Sequence, residues 1–247
     1  MMYAKADKEE QVGFLLCQLR KRLYNNKRRH QAFGKNEGVK KMTDQIVEVL
    51  NRLVAHYGFQ YWWESDDWLS DWLTMILIQR TNEGNAERAL KNLQPYLTIE
   101  QLEQLTLEQL EELIRPAGFY RQKSQAIKAL LDWFKGHGGE VSALEHFSTK
   151  ELREELLSIK GVGPETADVM LLYIFKRKAF IADTYAQRLF KRLGLGDYLS
   201  YEEMRNALLP IPEEISWELC REWHAVIDIH GKHYRKQPNM DESWLIK

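Results

Sequence analysis

The sequence predicts an all-α protein built from many short helices joined by short loops. Capping boxes, which pair Ser or Thr with Glu or Gln three residues later, begin at Thr98, Thr106 and Ser148. From Thr43 onward, apolar residues recur at helical spacing. No segment alternates convincingly between apolar and polar residues, so nothing favours a sheet.

Length and composition limit the class of protein. A chain of 247 residues with 44% hydrophobic content can bury one sizeable core or two small lobes. No run of eighteen apolar residues occurs and the N-terminus is charged, so we expect no membrane span, no secretion signal and a cytoplasmic location. Only Cys17 and Cys220 are present, which excludes a disulfide framework and a four-cysteine zinc or iron–sulfur site.

The first 41 residues differ in charge from the rest of the chain. They hold eleven Lys and Arg against four Asp and Glu, a net +7, which leaves −8 on the remaining residues. Met42 opens a sequence typical of a natural start. We expect residues 1–41 to be a poorly ordered extension or an upstream-start artefact; the alternative is a basic tail that contacts a polyanion.

Aromatic residues crowd together between Tyr57 and Trp63. Burial in a core is the ordinary interpretation, but the adjacent Trp62 and Trp63 also offer flat apolar surfaces for stacking a ring. An apolar helix over residues 68–77 follows, with Gln79 just beyond its end. As a lone polar residue at the end of this helix, Gln79 is a candidate C-terminal cap.

A turn is predicted over residues 114–124. Pro116 and Gly118 end one helix, and the following Phe119-Tyr120 begin another. Gly118 is a candidate for close approach to a phosphate, and a simple helix cap is the alternative.

The segment Lys160-Gly161-Val162-Gly163-Pro164 predicts a sharp hairpin between two helices, residues 151–158 and about 165–175. Two glycines around one apolar residue leave bare N–H groups at the start of the second helix, where the helix dipole favours a phosphate. Pro164 fits the first helical position. An ordinary helix–turn–helix corner is the alternative.

Two later helices are predicted. Asp183 is a good N-cap for a helix that closes at Gly194. Pro212 is expected to open a long helix over residues 213–230, with Gly231 as its stop signal.

Several motifs carry a family resemblance. Gly161-Val162-Gly163, Thr166-Ala167 and Phe180-Ile181-Ala182-Asp183-Thr184, followed by Arg188, resemble in order and spacing the helix-hairpin-helix (HhH-GPD) DNA glycosylase superfamily, which is endonuclease III-like. The run from Arg115 to Lys123 resembles the RPxGFYxQK pattern of its cluster-free 3-methyladenine DNA glycosylase III branch. The resemblance spans residues 57–238. It implies a two-lobed helical fold without an iron–sulfur cluster.

The resemblance also implies domains. Residues 42–67 and 180–247 would form one discontinuous helical lobe. Residues 68–179 would form a helical barrel lobe containing the helix-hairpin-helix, about 151–175.

The resemblance assigns site residues. It makes Asp183 the catalytic carboxylate and Gln79 the residue that enters the gap left by a flipped base. The expected DNA contacts are Lys160, Gly161, Val162, Gly163, Thr166, Gln79 and Gly118. Trp62 and Trp63 would form the base pocket. The expected partner is double-stranded DNA with a damaged base, bound by a monomer that needs no metal cofactor, although a monovalent cation at the hairpin is compatible with the pattern.

The chemistry follows from the residues that are present. Breaking an N-glycosidic bond develops positive charge on the sugar, which one ionised carboxylate can stabilise while it orients water. Family members that also cut the strand place a lysine where this chain has Glu165, and a carboxylate cannot form a Schiff base. We therefore expect a monofunctional glycosylase in base excision repair, with an alkylated purine as the candidate lesion.

Net charge of −1 is unusual for a DNA-binding protein, so basic residues should gather on one face. The candidates are Lys160, Lys176, Arg177, Lys178, Arg188, Lys191, Arg192, Lys232, Arg235 and Lys236. Two alternatives remain open: a DNA-binding protein of the same fold without catalysis, and a helical interaction module unrelated to DNA.

Overall fold

The computed structural model describes residues 37–62 and 67–247, with side chains from Asp44 onward. Trp63 lies outside the described residues, as do residues 1–36 of the predicted extension. The chain divides into two compact units, one up to Phe59 and the other from Gln60 to Lys247.

Every regular element within the described residues is helical, which confirms the all-α prediction. None of the helices found there is both long and apolar enough to cross a membrane. The α-helices are α1 (Glu37–Tyr57), α2 (Trp68–Leu77), α3 (Glu83–Leu93), α4 (Ile99–Gln104), α5 (Leu107–Ile114), α6 (Tyr120–Gly136), α7 (Thr149–Ser158), α8 (Pro164–Tyr173), α9 (Thr184–Arg192), α10 (Tyr201–Ala207), α11 (Trp217–Lys236) and α12 (Ser243–Ile246). Short 3-10 turns cover Gln94–Tyr96, Arg115–Ala117 and Val141–Leu144.

Helix α1 belongs to the first unit. Its buried positions Ile46, Leu50, Leu53 and Val54 recur at the three- and four-residue spacing that predicted a helix. The helix begins at Glu37, earlier than the predicted start at Thr43, and so includes the last five residues of the predicted extension.

The core of the second unit is organised around α2. Trp72 is fully buried, and its ring centroid lies 4.9 Å from that of Phe134 on α6. Trp68 packs 5.3 Å from Trp72 on the same helix. Because α2 contacts α3, α6 and α8, its C-terminal end is brought to the start of the hairpin helix.

The capping signals define most helix starts as expected. Thr106 and Ser148 form complete capping boxes, whereas Thr98 accepts from Gln101 N without the reciprocal bond. Asp183 is the N-cap of α9.

The predicted start and end of α11 are wrong. The helix begins after Ser216, whose hydroxyl accepts the N–H of Leu219, and it continues through Gly231 to Lys236. Gly231 does not stop the helix, because its role is to make room: a Cβ there would lie 2.2 Å from the ring of Tyr185 on α9. The glycine lets α9 and α11 approach closely.

A fully buried carboxylate joins three helices. Asp168 on α8 accepts hydrogen bonds from Arg153 on α7, at 2.8 and 3.1 Å, and from the hydroxyl of Tyr201 on α10, at 3.0 Å. Arg205 adds an ion pair at 2.8 Å. Both carboxylate oxygens of Asp168 therefore have hydrogen-bond or ion-pair partners. These contacts hold α7 and α8, the two helices of the hairpin motif, in a fixed relative position.

The C-terminal segment is held by a second, partly buried charge cluster. Glu242 accepts two hydrogen bonds from Arg192, at 2.8 and 2.7 Å, and lies 2.7 Å from Nε2 of His230. A cluster bound by four thiolates does not fit this chain, because it has two cysteines and Cys220 is buried within α11.

Candidate active site

The hairpin turns sharply because of Gly161. Its φ is +89°, and a Cβ there would lie 2.5 Å from the Cβ of Ala126 on α6. Only glycine meets both requirements, so the predicted turn packs directly onto α6. Gly163 then caps α8 in an extended conformation, with open space around it.

The hairpin amides differ in whether they are already bonded within the chain. The N–H of Val162 donates to the carbonyl of Ile159 at 3.0 Å, which closes the turn and takes this amide away from a ligand. Across the described residues, the amides of Gly163, Glu165 and Thr166 make no backbone hydrogen bond. Pro164 has no N–H, so these three donors lie unbonded at the N-terminus of α8, where the helix dipole favours an anion.

Gln79 lies beside the hairpin. Its Nε2 donates to the carbonyl of Gly161 at 3.3 Å and to Oγ1 of Thr166 at 3.1 Å. These residues line an open cleft of about 760 Å³. The structure therefore brings together the predicted Gln79 and predicted hairpin residues; the full lining is Gln79, Arg80, Phe119, Gln122, Lys123, Ala126, Gly161, Val162, Gly163, Pro164, Glu165, Thr166 and Tyr201.

Phe119 and Arg80 are two of the cleft residues that were not predicted as site residues. Phe119 is 53% exposed, an unusual position for a large aromatic side chain, and Arg80 lies 6.0 Å from its ring. Both residues have left-handed backbones, with φ of +48° and +52°. The signal in the sequence was Gly118, which has a φ of +68° and directly precedes Phe119. Strained non-glycine residues cluster at functional sites.

Lys123 also lines the cleft but is almost completely buried. Its Nζ donates to the carbonyls of Leu77 and Ala117, each at 2.8 Å. It thereby caps the C-terminal ends of α2 and of the 3-10 turn Arg115–Ala117. Burial lowers the pKa of Lys123 to about 8. In the hairpin, Lys160 is exposed, and its Nζ donates to Oε1 of Gln125 at 2.8 Å.

Asp183 is held in one orientation by its cap. Its Oδ1 accepts the N–H of Ala186 at 2.7 Å. Burial raises the pKa of Asp183 to about 7; the Ala186 hydrogen bond opposes that rise, and the charges of Glu165 and Asp228 add to it. Asp183 is not among the described residues that line the cleft, and Glu165 connects the two, because it lines the cleft and acts electrostatically on Asp183.

Trp62 is fixed to α11 by a buried glutamate. Glu222 accepts the N–H groups of Gln60 and Tyr61, at 2.5 and 3.1 Å. The ring of Trp62 then meets His224 edge-on at 6.2 Å, and Nζ of Lys232 lies 5.8 Å from its centroid. Lys232 in turn pairs with Asp228 at 2.6 Å.

Several of the ten basic residues predicted to gather on one face make contacts within the chain. Arg177 donates to the carbonyl of Glu145 at 3.0 Å, and Lys178 donates to that of Glu213 at 2.9 Å. Lys191 pairs with Asp197, and Arg192 pairs with Glu242. These contacts hold loops and helix ends together, and a basic DNA-binding face that includes these residues stays a prediction.

Comparison with known proteins identifies the family. Residues 73–213 match the family described as HhH-GPD superfamily base excision DNA repair protein. A DNA repair glycosylase of Methanocaldococcus jannaschii is 35% identical over 210 residues, which cover 83% of this chain and 94% of that protein. Endonuclease III of Thermotoga maritima is 34% identical over 147 residues, 59% of this chain and 65% of its own length.

Solved structures share the fold. A 3-methyladenine DNA glycosylase (MagIII) of H. pylori, bound to 1,N6-ethenoadenine, gives a TM-score of 0.64 at 22% identity, covering 81% of this chain and 99% of that one. Endonuclease III in a non-covalent DNA complex gives 0.67 at 23% identity, covering 83% and 95%. The endonuclease III-like fold is therefore confirmed, and the chain belongs to the HhH-GPD superfamily of base excision DNA repair proteins.

Proposed function

We propose that this DNA glycosylase is monofunctional: it hydrolyses the N-glycosidic bond of a damaged base flipped out of DNA and leaves the strand intact. The observation that carries the proposal is the environment of Asp183. Its carboxylate is fixed by the N–H of Ala186, and burial, with the charges of Glu165 and Asp228, raises its pKa to about 7, so it ionises near neutral pH. An ionised carboxylate of this kind stabilises positive charge on the sugar and orients water.

The hairpin supplies the DNA contact in this proposal. A phosphate seated on the amides of Gly163, Glu165 and Thr166 would fix the strand at the N-terminus of α8. Gln79 and the exposed Phe119 flank that seat in the same cleft, so they would contact the bases around the extruded nucleotide.

Strand cleavage needs an unprotonated lysine that attacks the sugar. The position that carries it in strand-cleaving relatives holds Glu165, whose pKa is raised by burial. Lys123 has a lowered pKa, but its Nζ already donates to two carbonyls. Lys232 is paired with Asp228 at 2.6 Å. These contacts support hydrolysis by water rather than lysine attack.

An alkylated purine is the lesion class we propose. Trp62 offers an aromatic surface beside α11, where its ring contacts His224 and Lys232. Asp228, the partner of Lys232, lies on the same face of that helix. The MagIII structure that shares this fold holds 1,N6-ethenoadenine, an alkylated purine.

Excision assays under single-turnover conditions test the proposal. Duplexes carry 3-methyladenine, 1,N6-ethenoadenine, uracil, thymine glycol or 8-oxoguanine, and strand breaks are scored with and without alkali. We expect free base release from an alkylated purine, strand breaks only after alkali, and no borohydride-trapped adduct. An adduct that survives Asp183→Ala but is lost in Lys123→Met or Lys232→Met contradicts the monofunctional assignment. DNA binding without release of any base favours the non-catalytic alternative.

A further inference from the structure

His224, on α11, lies between the aromatic rings of Trp62 and Tyr173. Its ring meets Trp62 edge-on, with centroids 6.2 Å apart, and Tyr173 on α8 at 5.7 Å. Two residues earlier, Glu222 accepts the backbone N–H groups just before Trp62. The histidine and the tryptophan are therefore held in register by the same helix.

The tautomer of His224 follows from the contacts of Tyr173. The Tyr173 hydroxyl lies 2.7 Å from Nδ1 of His224 but 3.5 Å from the carbonyl of Arg221, which is too long for a good O–H···O bond. Burial raises the pKa of Tyr173, so its hydroxyl keeps its proton. The shorter contact favours donation of that proton to Nδ1, and a neutral imidazole that accepts at Nδ1 carries its own proton on Nε2.

The Nε2–H group has no hydrogen-bond partner within the described part of the chain. Burial, with the positive charge of Lys232, lowers the pKa of His224 to about 4, so the ring stays neutral at physiological pH. A part-buried donor that lacks a protein partner is expected to find one in a ligand or ordered water.

We propose that His224 is a specificity-determining residue, whose Nε2–H donates to a ring-nitrogen or carbonyl acceptor on the extruded base next to Trp62. The inference rests on the proposed glycosylase function and narrows its substrate class to bases with an acceptor on that edge. A base with a carbon in place of the acceptor leaves the donor unpaired, and a site built to hydrogen-bond rejects such an analogue.

Nitrogen NMR of the full-length protein tests the tautomer without any substrate. We expect His224 to carry its proton on Nε2 from pH 5.5 to 9, and we expect Tyr173→Phe to release that preference. A proton on Nδ1 in the wild-type protein, or titration of His224 near its ordinary pKa, overturns the inference.

Single-turnover excision tests the base contact. The substrates are 1,N6-ethenoadenine, hypoxanthine and uracil, together with their single-position deaza analogues. For each base that the wild-type protein excises, we compare the parent base with its deaza analogues. The analogue that lacks the contacted acceptor should react about 10 to 100 times more slowly than the parent, a factor typical of one lost hydrogen bond. His224→Leu should abolish this discrimination, whereas His224→Gln, which keeps an amide donor, should retain it.

Affinity for abasic-site DNA is the control, and it should be equal in all three proteins. Excision by His224→Leu with undiminished discrimination overturns the base contact and leaves the glycosylase function standing. A wild-type protein that excises no lesion overturns the proposed function, and the base contact falls with it.

Discussion

Gln79 places its amide nitrogen 3.3 Å from the carbonyl oxygen of Gly161, so the end of α2 and the hairpin are joined by a side-chain contact across 82 residues of sequence. Oγ1 of Thr166 accepts the same amide group at 3.1 Å. These bonds hold Gln79 at the cleft before DNA arrives.

Replacing Gln79 should therefore affect base extrusion more than stability. We expect Gln79→Ala to lower the rate on a fully paired duplex by about 10-fold, because filling the gap offsets an unstacking cost of a few kcal/mol. The free energy of unfolding should change by no more than about 1 kcal/mol. The measurement is single-turnover excision of the same lesion in paired and mismatched contexts, with exposed Gln104→Ala as the control. Equal losses in both contexts would count against the role.

Asp168 should be critical for stability. Asp168→Asn leaves Arg153 and Arg205 with little solvent and without their central counter-charge, which should cost about 3 to 5 kcal/mol in the free energy of unfolding. Glu202→Gln is the matched control: it removes another partner of Arg153, but one that is 41% exposed, so at most about 1 kcal/mol should be lost. Urea denaturation of both variants decides the matter, and equal losses would refute a special role for the buried carboxylate.

Glu165 should tune the pH dependence of the reaction. Burial and the negative charge of Glu165 raise the pKa of Asp183 to about 7, and in the proposed mechanism the ionised form of Asp183 is the active one. Excision by the wild-type protein should therefore rise with pH through about 7, and in Glu165→Gln the rise should move to lower pH. The pH–rate profiles of the two proteins are the measurement, and an unmoved profile would show that Glu165 does not act on the catalytic group.

The same position should control strand cleavage. Glu165→Lys places an amine where strand-cleaving relatives carry their nucleophile, so we expect a borohydride-trapped DNA adduct that the wild-type protein does not form. Glu165→Gln is the matched control for loss of the carboxylate alone. Trapping in the wild-type protein at the level of Glu165→Lys would remove the basis for a monofunctional enzyme.

Asp183 should also make the fold more stable at low pH than at high pH. Its pKa is about 3.9 in an unfolded chain and about 7 in the folded protein, so the folded state binds the extra proton between those values. Its contribution to stability is thus present below about pH 4 and declines as pH rises through 7. Asp183→Asn keeps a good N-cap and cannot ionise. We expect its Tm to exceed that of the wild type at pH 8 and to match it near pH 4; a lower Tm at pH 8 would be inconsistent with the raised pKa.

Local signals predicted much of this structure. Ser148, Thr106 and Asp183 cap helices where expected, because a cap depends on residues within one helical turn. The sharp turn at Gly161 was predicted for the same reason, although the contact with Ala126 that makes glycine necessary was not.

Long-range contacts account for the errors. Gly231 was interpreted as the end of a helix because the sequence does not show that the ring of Tyr185 occupies the space beside it. Arg177 and Lys178 were predicted as part of a basic face. The sequence does not show that they donate hydrogen bonds to backbone carbonyls more than 30 residues away. The exposure of Phe119 likewise depends on how the left-handed turn after Gly118 meets the hairpin.

The most direct test of the central claim is single-turnover excision by Asp183→Asn on the lesion that the wild-type protein removes fastest. Asn keeps the cap to Ala186 but removes the charge, so we predict a rate at least about 100-fold lower, with affinity for abasic-site DNA unchanged. A rate within a few-fold of the wild type, in a variant that still binds DNA, would contradict the assignment of Asp183 as the catalytic carboxylate.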